Sequence, residues 1–160
     1  ARTLNVPYET GLIKNRYIGS TFIRPTQQQR MQGMRVRLNA ISSVVKDKSV
    51  YLVDDSVVKG FTSRRICQLL KEAGAKEVHL RIASPMLKYP CLYGADSTAQ
   101  KDLAAFNYSI DEMKQLFQVD SLRFISVEDF KKCVPETSCL ACCTGEYPEE
   151  LQDYKDEVKE

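Results

Sequence analysis

Val50-Tyr-Leu-Val-Asp-Asp-Ser-Val-Val-Lys-Gly-Phe-Thr-Ser63 is the stretch on which the reading of this chain turns. Its first four residues, Val50 to Val53, read as a fully buried strand bounded by polar residues. Two carboxylates, Asp54 and Asp55, follow at once, and then a short loop holding Ser56, Lys59, Gly60, Thr62 and Ser63. Beyond the loop, Ile66, Leu69, Leu70 and Ala73 recur at helical spacing, and Gly74 suits the position just past a helix end. A strand, a polar turn and a helix N-terminus together make an anion cradle, because unpaired backbone N–H groups and the helix dipole both point into the turn. Gly60 lets the backbone approach a ligand closely, and Thr62 and Ser63 add hydroxyl donors.

The loop lacks the G-x-x-x-x-G-K-[ST] pattern of a Walker loop. Here the acidic pair precedes the phosphate loop. That order suits a ligand carrying both a diol and a phosphate: the carboxylates accept from two hydroxyls while the loop takes the phosphate. The plainer alternative is a strand-to-helix turn whose acids only solvate the strand end.

This stretch resembles the phosphoribosyl-pyrophosphate (PRPP) signature of type I phosphoribosyltransferases, and VDDSVVKG-x-TS is most similar to that of the amidophosphoribosyltransferases. Three further blocks resemble the same family in the same order: GLIKNRYIGSTFI from Gly11, SPMLKYPCLYGADST from Ser84 and SCLACCTGEYP from Ser138. The resemblance covers nearly the whole chain. It implies an α/β fold with a parallel sheet, the type I phosphoribosyltransferase fold incomplete at its N-terminus, over residues 1–135. A cysteine-containing extension with a C-x-x-C would occupy 136–160.

Bulk composition fits that expectation. The chain has 160 residues, 43% hydrophobic and 28% charged, with a net charge of +2. That is one domain's worth, with no long apolar run and no global bias toward nucleic acid or a membrane. Charge is nevertheless uneven. Gly11 to Lys46 contains no acid but holds Lys14, Arg16, Arg24, Arg30, Arg35, Arg37 and Lys46, a stretch suited to polyphosphate. Glu146 to Glu160 is acidic and reads as a solvated helix or frayed end. The opening Ala-Arg-Thr-Leu reads like a helix end, so the expectation is one piece of a longer polypeptide.

Along the chain, Leu12–Lys14 reads as a strand end, followed by a loop through Pro25 and a helix from about Gln27 to Gln32. The family resemblance makes this loop a lid over PRPP and part of an ammonia channel, with Lys14, Arg16 and Tyr17 as active-site loop residues; a plain surface loop is the other reading. Ser20 stands where the family usually has Arg, which puts one phosphate or interdomain contact in doubt. Arg35–Ala40 reads as extended, and Glu77–Ile82 as a second strand completing a βαβ unit with a right-handed crossover. Ligands in such sheets lie beyond the carboxyl ends of strands, where Asp54 and Asp55 fall. His79, the only histidine, reads as a packed or edge residue. A short helix is expected from Ser97, a capping box opens another at Ser109-Ile-Asp-Glu112, Leu122–Ile125 reads as a strand, and Ser126 caps a further helix ending near Cys133.

Six cysteines in a chain with no secretory segment favour metal or free thiols over disulfides. Cys139-Leu-Ala-Cys142 could serve a cluster, zinc or redox chemistry. By resemblance to the iron–sulfur branch of the family, Cys91, Cys139 and Cys142 match three ligands of a structural [4Fe–4S] cluster whose fourth lies upstream; Cys67, Cys133 and Cys143 match none.

The resemblance further implies a cytoplasmic glycosyltransferase (EC 2.4.2.14) of purine synthesis, making 5-phosphoribosylamine from PRPP and glutamine-derived ammonia. Asp54 and Asp55 would hold the ribose hydroxyls and touch Mg²⁺. Ser56, Lys59, Gly60, Thr62 and Ser63 would hold the 5′-phosphate. The expected partners are an N-terminal glutaminase domain absent from this sequence, purine nucleotide inhibitors and further copies of the chain, with neither nucleic acid nor membrane. The piece alone is expected to be inactive with glutamine. Phe61, where the family usually has Thr, is expected to weaken PRPP binding unless its ring turns away. Two other classes stay open: a non-catalytic PRPP-sensing module, and a structural iron–sulfur half.

Overall fold

The structure, a computed structural model, describes residues 1–14, 38–93 and 98–148. The expected lid residues Arg16 and Tyr17, Ser20, the helix near Gln27–Gln32, the helix start at Ser97 and most of the acidic tail lie outside the described residues. Within them, two sheets form. Strand β1 (Leu12–Lys14) pairs antiparallel with β2 (Leu38–Ala40), Leu12 opposite Ala40 and Lys14 opposite Leu38. Strands β3 (Ser49–Asp54), β4 (Glu77–Ile82) and β5 (Ser121–Phe124) form a parallel sheet in that order.

Each connection follows local chemistry. The helix Phe61–Glu72 joins β3 to β4, burying Ser63, Ile66, Cys67 and Leu70 on one stripe, and Gly74 adopts the left-handed region at φ 95° just beyond it. The helix Ile110–Phe117 leads to β5. It opens on the expected capping box: Ser109 accepts from the Glu112 N–H, and the Glu112 carboxylate accepts from the Ser109 N–H at 2.7 Å. Ser126 likewise caps the Val127–Lys131 helix. Both helices Phe61–Glu72 and Ile110–Phe117 pack on one side of the parallel sheet. Val78, Leu80, Cys67, Met113, Leu70 and Phe117 there are essentially inaccessible to solvent.

The other face corrects the expectation of a fully buried strand. Burial in β3 alternates: Tyr51 is 63% and Val53 70% exposed, and only Val50 and Leu52 turn toward the helices. Among the described residues, β3 is an edge strand with one covered face, so a run that looks continuously apolar splits by the period-2 pleat. On the bare face Tyr51 stacks on His79 at 4.8 Å, with the Arg81 guanidinium 5.2 Å from the Tyr51 ring. His79 Nδ1 lies 2.8 Å from Ser121 Oγ and Nε2 3.1 Å from Ser49 Oγ. The histidine therefore ties three strands together, as its reading as a packed residue requires. No helix among the described residues is long and apolar enough to cross a membrane.

The C-terminal segment contacts the strap of residues 88–90 through Cys142 and Tyr147. The short Ala141–Thr144 helix presents the Cys142 carbonyl to the N–H groups of Lys88 and Tyr89, both at 3.0 Å. The Tyr147 hydroxyl donates to the Pro90 carbonyl at 2.6 Å.

Candidate functional site

β3 delivers Asp54 at its carboxyl end, where the Asp54 carbonyl takes the Ala83 N–H at 2.9 Å and pins the strand end to its neighbour. Asp54 is half-buried and Asp55 exposed. The Asp55 N–H donates to Asp54 Oδ1 at 3.2 Å, the Ser63 hydroxyl donates to Asp54 Oδ2 at 3.4 Å, and Ser56 donates from both N–H and hydroxyl to Asp55 Oδ1. Burial raises the Asp54 carboxyl above its ordinary range and the Asp55 charge adds to this, against the lowering effect of the two donors. The pair is thus one half-desolvated and one solvated carboxylate on adjacent residues, able to accept from two neighbouring hydroxyls or to share a cation.

The turn then reaches Gly60, at φ 77°, the residue before the helix. A glycine here leaves the first helical turn without a side-chain cap, so its N–H groups face the turn. Phe61 is the first helical residue and its ring lies half in solvent, 49% exposed. Asp54 closes β3; Asp55, Ser56 and Gly60 lie in the turn; and Thr62 and Ser63, expected in the loop, lie in the first turn of the helix, which starts at Phe61.

Behind the turn stands a wall that sequence reasoning did not find. Val57 is buried, the Val58 carbonyl accepts from the Ala104 N–H at 2.8 Å, and Gly60 lies against the Phe117 ring and Ala104 Cβ. Lys59 Nζ is 2.9 Å from Asp102 Oδ2. Asp102 carries no motif that would mark it, and it meets the loop only because the chain returns 43 residues later. Lys14 is exposed at the end of β1.

The six cysteines fall into different environments. Cys67 is fully buried, and burial pushes its thiol up to about 12. Cys133 and Cys139 are exposed, and Cys91, Cys142 and Cys143 are half-buried. Cys143, which no motif singled out, has its sulfur 3.9 Å from that of Cys142. Its thiol holds Cys142 down at about 6, while Cys143 itself is pushed up. Burial, with the charges of Cys142, Cys91 and Cys139 after it, pushes the Tyr147 hydroxyl up to about 12. Among the described residues no three His, Cys, Asp or Glu side chains stand together so as to hold a metal ion.

Comparison with known proteins bears on the family and the fold. The phosphoribosyl transferase domain family matches residues 1–104. An amidophosphoribosyltransferase of Bacillus subtilis (strain 168) is 47% identical over 99% of this chain, and one of Methanocaldococcus jannaschii is 48% identical over 91%. The chain spans about a third of their length, 34% and 31%. Among solved structures, a glutamine PRPP amidotransferase from B. subtilis complexed with ADP and GMP superposes with a TM-score of 0.79 at 48% identity, over 95% of this chain and 35% of that one. A structure described as the allosteric regulatory enzyme of purine biosynthesis matches equally, TM-score 0.79 at 46% identity, over 96% of this chain and 35% of that one. The chain belongs to the phosphoribosyl transferase domain family, and its relatives there are amidophosphoribosyltransferases.

Proposed function

We propose that this chain is the phosphoribosyl-transfer part of a glutamine-dependent amidophosphoribosyltransferase, which displaces pyrophosphate from PRPP with ammonia to give 5-phosphoribosylamine. The observation that carries the reading is the junction of Asp54 and Asp55 with the helix N-terminus that follows Gly60. The carboxylates accept from the ribose hydroxyls. Ser56, Gly60, Thr62 and Ser63 surround the 5′-phosphate with N–H and hydroxyl donors. Departure of pyrophosphate leaves an oxocarbenium-like sugar, so the residues position ligands and balance charge rather than form a covalent bond. Ammonia attacks as a neutral nucleophile and needs no general base from this chain.

Mg²⁺, when bound, neutralises charge on the leaving pyrophosphate; the two adjacent aspartates have the oxygen donors it prefers, and they are the residues that would hold it. Lys14, Arg16 and Tyr17 are proposed as the lid contacts. Glutamine-derived ammonia would come from a glutaminase domain, and the assembly is proposed to be a homo-oligomer. ADP and GMP accompany a relative's structure, which supports purine nucleotides as competing ligands of this chain. Cys91, Cys139 and Cys142 supply the thiol chemistry of a [4Fe–4S] site, and the family resemblance of their sequence blocks makes them three proposed ligands. As they lie they do not form a ligand set, so no step is routed through a cluster.

Calorimetry with PRPP and Mg²⁺ tests the reading. Binding that is lost in Asp54→Asn/Asp55→Asn, in protein that keeps its fold by circular dichroism, supports it. Unchanged affinity in that variant overturns it.

A further inference from the structure

The phosphate turn is held from behind at three consecutive residues by one short segment and one ring. The Val58 carbonyl takes the Ala104 N–H at 2.8 Å, Lys59 Nζ meets Asp102 Oδ2 at 2.9 Å, and Gly60 abuts Phe117. The segment carrying Asp102 is itself stiff. The Asp102 N–H donates to the Ala99 carbonyl at 2.9 Å and the Leu103 N–H to the Gln100 carbonyl at 3.0 Å. The Asn107 side chain donates to the Lys101 and Leu103 carbonyls at 2.7 and 2.8 Å, and Leu103 is buried. The Lys59 hydrogen bond, ahead of its bare charge, holds the Asp102 carboxyl below the usual carboxylate range.

A lysine inside a phosphate-binding turn invites the reading that its ammonium meets the phosphate. Its engagement by a carboxylate on a braced segment gives it a different task. We propose that Asp102 is a positioning residue for the phosphate turn: it tethers Lys59, so that the turn offers the 5′-phosphate a fixed set of backbone N–H groups rather than a mobile ammonium. The inference rests on the phosphoribosyl reading for the ligand, but the tether itself is a property of this chain. An ion pair this exposed is worth little in overall stability. Its effect should appear where a small loss of order matters, at the turn and in affinity for the phosphate end of the ligand.

The test uses the whole 160-residue chain, with ribose 5-phosphate as probe and amide hydrogen exchange across 57–62 as a second readout. Asp102→Asn and Lys59→Gln should each weaken ribose 5-phosphate binding by about two- to fivefold and speed exchange in the turn. The double variant should be no weaker than either single one, because the two act as a pair. Asp102→Glu and Lys59→Arg should restore both readouts, which a merely space-filling role would not do. The proposal is overturned if Lys59→Gln weakens binding while Asp102→Asn leaves it unchanged or tightens it, since Lys59 would then be a direct ligand. It is also overturned if neither variant alters exchange. If the wild-type chain binds no ribose 5-phosphate, the phosphoribosyl reading has failed instead. Exchange alone then decides the tether: faster in both single variants and restored by the conservative ones supports it, and unchanged exchange overturns it.

Discussion

Phe117 stands directly behind Gly60: a β-carbon on Gly60 would lie 2.9 Å from two atoms of the Phe117 ring. The glycine is also at φ 77°, in the left-handed region that side chains disfavour. Gly60→Ala should therefore cost about 1–2 kcal/mol for the backbone and about 1–3 kcal/mol more for overpacking. Adding Phe117→Leu should relieve the overlap but not the backbone part. Urea denaturation of the single and double variants separates the two, and a single variant losing less than about 1 kcal/mol would show that the turn adapts.

Asp54 carries a stability cost at the strand end. Burial, with the Asp55 charge, raises its carboxyl in the folded chain. A group raised on folding contributes stability below its unfolded value and loses it as pH rises through the folded value. At pH 7 the ionised Asp54 therefore opposes folding. Asp54→Asn should raise the melting temperature at pH 7, with the gain shrinking as pH falls through the carboxylate range, even as PRPP binding is lost. A melting temperature lowered at pH 7 would mean that the donors from Asp55 and Ser63 outweigh burial.

Tyr147 fastens the cysteine segment to the strap that carries Cys91. Its hydroxyl reaches the Pro90 carbonyl at 2.6 Å, and the residue is buried. Tyr147→Phe leaves that carbonyl without this donor and should cost about 1–3 kcal/mol. Thermal denaturation measures the loss, and faster proteolysis after residue 138 would place it in the C-terminal segment.

The thiols should separate by chemistry. In metal-free protein the Cys143 thiol holds Cys142 below the usual thiol range, whereas Cys67 is buried and pushed up to about 12. Peptide mapping after brief iodoacetamide treatment should show Cys142 alkylated ahead of the more exposed Cys133, and Cys67 untouched until denaturant is added. Cys142 labelling should change little between pH 7 and 9. Equal rates for Cys142 and Cys133 would show that the neighbouring thiol does not activate Cys142.

Much of this architecture is visible in short-range pattern. Glu77–Ile82 falls where alternation and flanking polar residues put it, and the Ser109 box opens its helix because both halves of the motif sit within four residues. The Ile66–Leu70 stripe and Gly74 bound the central helix in the same way. Val50–Val53 misleads for a definite reason. Apolar identity says that a residue tolerates burial, not that a second layer covers it, and Tyr51 and Val53 lie on the uncovered face.

The sequence by itself determined that Asp54 and Asp55 come at the end of an apolar run and that a helix follows the loop holding Gly60, because periodicity and turn chemistry are set by neighbours a few residues apart. Only the tertiary structure decided that Asp102 meets Lys59, that Phe117 closes the space behind Gly60, and that Tyr147 reaches Pro90. Those pairs are separated by 43 to 57 residues. Their meeting depends on how whole elements pack, and packing constrains volume and shape without leaving a fixed spacing in the chain.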